Sequence, residues 1–253
     1  MIRCAQLTKR YGDLVAVDRL DLEIPRGELF GFLGPNGAGK TTTIKILTGL
    51  LRPTSGRASI GPYDLSLQPL EAKRITGYVP DTPALYEKLT PMELMEFIGE
   101  MYGMSRAAYL ARAAELLEGF ELGAERNDLI ESYSHGMRQK VALAAALLHN
   151  PELLILDEPM VALDPHGARQ IRELLKAQCR AGTTVFISTH TLPVAEELCD
   201  RIGIIHRGRL VAVGTMDQLR ELARAPARRL EEVFLALTHE EREDARLRPA
   251  ALA

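Results

Sequence analysis

Gly34-Pro35-Asn36-Gly37-Ala38-Gly39-Lys40-Thr41-Thr42 is the stretch that decides the fold of this chain. Four residues separate two glycines and Lys-Thr follows at once, the spacing of a phosphate-binding P-loop. The run Glu28-Leu29-Phe30-Gly31-Phe32-Leu33 before it is apolar enough for a buried strand, and Thr42-Thr43-Ile44-Lys45-Ile46-Leu47 can begin a helix. In such a strand–turn–helix the backbone N–H groups converge and the helix N-terminus adds positive potential, so a polyphosphate is held there. Glycine is needed where a Cβ would block the phosphates or where φ must be positive. Lys40 is then expected against the β- and γ-phosphates, and the Thr41 hydroxyl on Mg²⁺. The chain is expected to bind a nucleoside triphosphate.

Leu153-Leu154-Ile155-Leu156-Asp157-Glu158 is an apolar strand ending in two acids. Acids at the C-terminal end of a central parallel strand stand where open α/β sheets bind ligands. Asp157 is suited to hold Mg²⁺, directly or through water, and Glu158 to accept a proton from water attacking the γ-phosphate. Asp-Glu-Pro could also simply cap a following helix; the P-loop upstream favours the catalytic role. Further strand candidates, Thr184–Ser188 and Ile202–His206, are separated by helical patterns, which implies a mostly parallel sheet.

The rest of the chain divides by pattern. Leu14-Val15-Ala16-Val17 and Leu20-Asp21-Leu22-Glu23-Ile24, with turns at Tyr11-Gly12-Asp13 and Pro25-Arg26-Gly27, predict N-terminal antiparallel strands. From Thr90 to about Gly123 the pattern is helical, opened by the capping box Thr90-Pro91-Met92-Glu93. Met92, Met95, Phe97, Ile98 and Met101 recur there at helical spacing and predict an adaptable core stripe. Ser134 is a good N-cap ahead of a helix over Lys140–His149, closed by Asn150-Pro151; the same helix end, with bare Gly136 backbone, is also suited to phosphate. After Gly214, Thr215-Met216-Asp217-Gln218 predicts another capping box. Leu230, Val233, Phe234 and Leu237 then form one apolar helical face, expected to pack on its own chain, with a second subunit as the alternative, before a charged end over 239–253.

Composition sets bounds on function. The 253 residues allow one large α/β domain with an appendage, and 46% hydrophobic content is ample for a core. A formal net charge of −3 shows no basic surplus, so no nucleic-acid partner is expected. The three cysteines, Cys4, Cys179 and Cys199, have neither metal-ligand nor disulfide-framework spacing, which suits a reducing compartment. Met1-Ile2-Arg3-Cys4-Ala5-Gln6 lacks the apolar core of a secretory signal, and Val141–Leu148 is too short to span a bilayer. A soluble protein is expected, with any membrane span supplied by another chain.

Taken in order, these motifs resemble the nucleotide-binding subunit of an ATP-binding cassette (ABC) transporter, over residues 1 to about 214. Residues 34–42 match the family's Walker A loop and 153–158 its Walker B with the catalytic acid. Ser134-His135-Gly136-Met137 falls at the signature that contacts the partner subunit's ATP, keeping the serine and second glycine but losing the first glycine and the glutamine. Ala162-Leu163-Asp164 resembles the D-loop, and Ser188-Thr189-His190 the switch histidine, whose imidazole would donate to the γ-phosphate. Tyr11 stands where an aromatic residue stacks on adenine. Asp81, in Gly77-Tyr78-Val79-Pro80-Asp81, replaces the Q-loop glutamine, and its shorter, charged side chain would approach Mg²⁺ or its water.

The resemblance implies a P-loop NTPase core with a mostly parallel sheet, an N-terminal antiparallel β subdomain, a helical subdomain inserted at about 84–150, and a helical tail over 215–253. It implies an ATPase (ATP and water to ADP and phosphate) with ATP and Mg²⁺, two cassettes closing head to tail as a homodimer or with a sister cassette, and separate transmembrane permease subunits. The place implied is peripheral, on the cytoplasmic face of the inner membrane. The signature, the acid at Asp81 and Leu230-Glu231-Glu232-Val233-Phe234-Leu235 are most similar to bacterial ABC-2-type exporters. A soluble non-transport ATPase of the same type is the alternative. DNA-repair cassettes would carry a long coiled coil where only about fifty residues separate Asp81 from Ser134, and a nucleotide kinase would lack the signature.

Overall fold

A computed structural model describes residues 1–161, 163–224 and 229–247, with side chains described through 238. Ala162 of the D-loop match and residues 248–253 of the charged end lie outside the described residues. Strands β1 (Ile2–Tyr11) and β2 (Leu14–Ile24) pair antiparallel across the Gly12-Asp13 turn. The two apolar stretches expected as separate strands are thus one. Arg19, at φ +47°, bulges between them, yet its N–H still donates to Thr8 Oγ1 at 3.0 Å, so the strand bends without leaving the sheet.

Strand β3 (Leu29–Leu33) is buried throughout and leads through the glycine loop into α1 (Lys40–Leu47). Next, β4 (Ser55–Ile60) and β5 (Tyr63–Asp64) complete a four-stranded antiparallel sheet in the order β2-β1-β4-β5. Helix α2 (Pro69–Arg74), which the sequence pattern did not announce, leads to β6 (Thr76–Val79). Three helices follow: α3 (Pro91–Met101), α4 (Arg106–Gly119) and α5 (His135–Leu147). The Thr90 capping box is formed in both directions.

Helix α5 begins at His135 rather than Lys140. Ser134 Oγ accepts from Met137 N at 3.3 Å, and a buried face from Val141 to Leu147 anchors the helix behind that cap. The expected methionine stripe is only partly core. Met95 is fully buried, but Phe97 and Met101 are 48% and 64% exposed and face outward from the helical layer.

The remaining elements alternate: β7 (Leu153–Asp157), α6 (Pro165–Arg180), β8 (Thr184–Thr189), α7 (Leu192–Leu198), β9 (Arg201–His206), β10 (Arg209–Gly214), α8 (Met216–Leu222) and α9 (Leu230–Leu247). The second sheet runs β10-β9-β3-β8-β7-β6; all neighbours are parallel except the β10 edge. Both faces are covered, as a parallel sheet requires. Leu153, Ile155 and Phe186 pack toward α1 and the antiparallel sheet, while Leu154, Leu156, Val185 and Ile187 pack toward the helical layer.

The tail closes on its own chain. Leu230, Val233 and Leu237 bury against Leu33, Ala195, Ile204, Ala212 and Leu219. Among the described residues, no helix is long and apolar enough to cross a membrane.

Candidate nucleotide-binding site

Parallel register sets which loops meet. Leu33 pairs with Thr189 and with Ile204, Asp157 with Ser188, and Val79 with Leu156. The residues just after these strands therefore emerge along one edge: Gly34 onward, His190, Glu158, Asp81, and the turn after His206. Ligands of open α/β sheets bind at such an edge.

The loop's glycines answer to its neighbours. A Cβ on Gly34 would stand 2.3 Å from the Ile205 carbonyl oxygen, and one on Gly39, which has φ +109°, would stand 2.5 Å from that of Ala16. Lys40 is buried and its Nζ donates to the Gly34 carbonyl at 2.5 Å and to that of Pro35 at 3.3 Å. Burial holds its pKa below the ordinary lysine value, against the opposing pull of Glu158 and Asp157. A cleft of about 460 Å³ opens here, lined by Tyr11, Val15, Asn36, Lys40, Thr41, Thr42 and their neighbours. Tyr11, near the far end of β1 in sequence, is thus brought to the loop; Lys9 Nζ lies 5.2 Å from its ring centre.

The acids form a compact network with β8. Asp157 is buried and accepts a hydrogen bond from Ser188 Oγ. Burial pushes its carboxyl pKa up, the Ser188 bond works against that, and the charges of Asp81 and Glu158 add to the rise. Glu158 sits at φ +51°, a strained position for a non-glycine residue and one that turns its side chain back to the sheet edge. There its Oε2 accepts from Thr189 Oγ1 at 3.0 Å, and its Oε1 lies 2.6 Å from His190 Nδ1.

Other expected site residues lie around this centre. Asp81 is exposed just beyond β6, close enough for its charge to act on Asp157 and on Tyr78, whose hydroxyl is pushed up to about 12 chiefly by burial. Ser134 and His135 are exposed at the start of α5, with Gly136 and Met137 partly so, and none of the four lines the P-loop cleft. Asp164 Oδ1 caps α6 by accepting from Gly167 N at 2.8 Å.

Ser188 and Thr189, which the sequence marks only as the residues leading to His190, hold the two acids. Gln139 Nε2, which reaches the Pro159 carbonyl at 3.5 Å from α5, and Arg207, which lines the cleft, lie outside the motifs.

A separate apolar groove of about 550 Å³ runs between the sheet edge at Gly77–Pro80 and the helical layer, lined by Leu50, Tyr86, Phe97, Met101, Tyr102 and His149. The Tyr102 and His149 rings stack at 3.9 Å, and burial lowers the His149 pKa to about 4, leaving a neutral ring.

Known proteins are similar in sequence and fold. The ABC transporter family matches residues 17–161. The linearmycin resistance ATP-binding protein LnrL of Bacillus subtilis (strain 168) is 42% identical over 219 residues, which are 87% of this chain and 70% of that protein. A solved ATP-binding subunit of an ABC transporter superposes with a TM-score of 0.89 at 36% identity, covering 94% of this chain and 99% of that one. The ATP-binding cassette MJ0796, solved as a dimer in a post-hydrolysis state with ADP and Pi, superposes with a TM-score of 0.78 at 29% identity, covering 85% of this chain and 99% of that one. With the family match over more than half of its length and relatives alike in both sequence and fold, the chain belongs to the ABC transporter family, among its ATP-binding subunits.

Proposed function

We propose that this chain hydrolyses ATP to ADP and phosphate as one of two cassettes that power a separate membrane permease, in the direction of export. The observation that carries this is a cleft with a missing wall. Tyr11 and residues 34–42 line it, the Glu158–His190 pair stands along the same sheet edge, and Ser134–Met137 lie outside it. A second cassette, turned head to tail, supplies that wall with its own signature helix.

In this reading Tyr11 stacks on adenine, and the N–H groups of Asn36 to Thr42 with Lys40 hold the phosphates. Glu158 takes the proton from the attacking water, and His190 donates to the γ-phosphate. Asp164, capping α6 beside the acids' loop, is assigned to the cassette interface. Among the described residues no three His, Cys, Asp or Glu side chains group as a metal site. A bound Mg²⁺ would therefore draw on phosphate oxygens together with Thr41 and Asp157, with Asp81 nearby. Asp157 suits a cation because its carboxyl is buried and crowded by negative charge, which a positive ion relieves. When bound, the ion neutralises charge on the phosphates.

The apolar groove supports the permease as partner. Phe97, Met101, Tyr86 and Leu50 are all more than a third exposed, and a cytoplasmic helix of a membrane chain would cover them. LnrL, named for linearmycin resistance, supports export as the direction. Such a role puts the chain at the cytoplasmic face of the membrane, held there by its permease.

Co-expression with the permease tests this. The two chains should co-purify, ATP turnover should rise in the complex, and Phe97→Asp should break co-purification while MgATP binding remains. Turnover with no permease capture and no stimulation would point instead to a soluble ATPase of the same fold.

A further inference from the structure

We propose that Arg207 is a second cation of the nucleotide cleft, contacting the anionic phosphate chain of the bound nucleotide from the turn between β9 and β10. This rests on the nucleotide-site reading above and extends it to a residue outside the motifs.

Topology brings the turn to the site. Since β9 runs parallel to β3 with Ile204 beside Leu33, the chain leaving His206 emerges where the glycine loop begins. Two backbone bonds then fix the turn. Gly208 N donates to the Ala38 carbonyl at 2.9 Å, within the P-loop itself, and Asp18 N donates to the Gly208 carbonyl at 2.8 Å. Gly208, at φ +81°, lies so close to Ala16 that a Cβ would meet its carbonyl oxygen at 3.0 Å.

Two arginines flank this glycine and are used differently. Arg209 pairs with Asp18 through two nitrogens, at 2.7 and 2.6 Å, and so ties the hairpin to β2. Arg207 is exposed, lines the cleft, and among the described residues makes no hydrogen bond or ion pair. Its backbone is held at φ +48°, a conformation that a side chain of this size rarely adopts.

The charge balance identifies the ligand. Tyr11, Leu14, Val15, Ala16 and the loop residues contribute no carboxylate to the cleft; its charged side chains are Lys40 and Arg207. Lys40 is already folded onto the Gly34 carbonyl. A planar guanidinium with five donors beside a loop shaped for phosphate is matched by phosphate oxygens.

The test is titration of ATP, ADP and adenosine, at low and high salt, into the wild type, Arg207→Gln and Arg207→Lys, with melting curves for each. Arg207→Gln should weaken ATP binding by about three- to tenfold, leave adenosine unchanged and flatten the salt dependence. Arg207→Lys should restore much of the loss. Unchanged ATP affinity in Arg207→Gln, or an equal loss for adenosine, overturns the proposal; a lowered melting point in Arg207→Gln with full recovery of ATP affinity but not of salt dependence in Arg207→Lys does so too. Lys40→Ala serves as the separate control: tight ATP binding by that variant would sink the nucleotide-site reading itself, whatever Arg207 does.

Discussion

His190 Nδ1 lies 2.6 Å from Glu158 Oε1, a bond between residues 32 positions apart in sequence. The two side chains reach each other because β7 and β8 are neighbours in register, Asp157 beside Ser188. In this arrangement the carboxylate is engaged by the imidazole through one oxygen and by Thr189 through the other, and in the proposed reaction it is the group that takes the proton from water.

Glu158→Gln should therefore leave ATP affinity close to wild type and lower turnover by about 10²–10⁴-fold. Size-exclusion chromatography with MgATP should show the variant as an accumulated dimer. Normal turnover would remove Glu158 from the reaction.

His190→Ala should also depress turnover more than affinity. Because the two residues share one bond, the Glu158→Gln/His190→Ala double variant should be little slower than the worse single variant, as groups acting as a unit are not additive. Single-turnover rates for the four proteins decide this; fully additive losses would mean independent roles.

Asp157 carries a pH signature. Its folded pKa lies above the unfolded value, so between the two the native state binds the extra proton and stability falls as pH rises. Asp157→Asn should then raise the melting temperature at neutral pH by about 2–4 °C for each ~1 kcal/mol of relieved repulsion, and abolish Mg²⁺-dependent turnover. Mg²⁺ requirement in the wild type should climb as pH drops through the raised pKa. Equal melting curves for variant and wild type at neutral pH would contradict the burial argument.

Asp81→Ala should lower permease-stimulated turnover more than nucleotide affinity, because its charge acts on Asp157 and it directly follows Pro80, which lines the apolar groove. A variant equal to wild type in both, with the permease present, would remove Asp81 from the coupling path.

Leu230→Ala should destabilise the protein by about 2–5 kcal/mol, since the side chain is fully buried against Ala195, Leu219 and their neighbours. ATP-driven dimerisation should be unchanged at temperatures where the variant is folded. Weaker dimerisation at unchanged stability would mean that the tail packs on the second cassette instead.

What the sequence determined by itself was local. The glycine loop, the capping boxes at Thr90 and Thr215, the Ser134 cap and the buried strands are set by interactions spanning a few residues, so their residue types and spacing announce them. Even there, the Ser134 cap started α5 at His135, five residues before the Lys140 start that the pattern indicated. Tertiary structure alone decided what depends on neighbours distant in the chain. Strand order put Glu158 on His190 and carried Arg207 to the P-loop, because parallel pairing aligns strand ends whatever their separation in sequence. Packing likewise buried Met95 while leaving Phe97 and Met101 open on the same helix, since a helical stripe is wider than the surface that covered it.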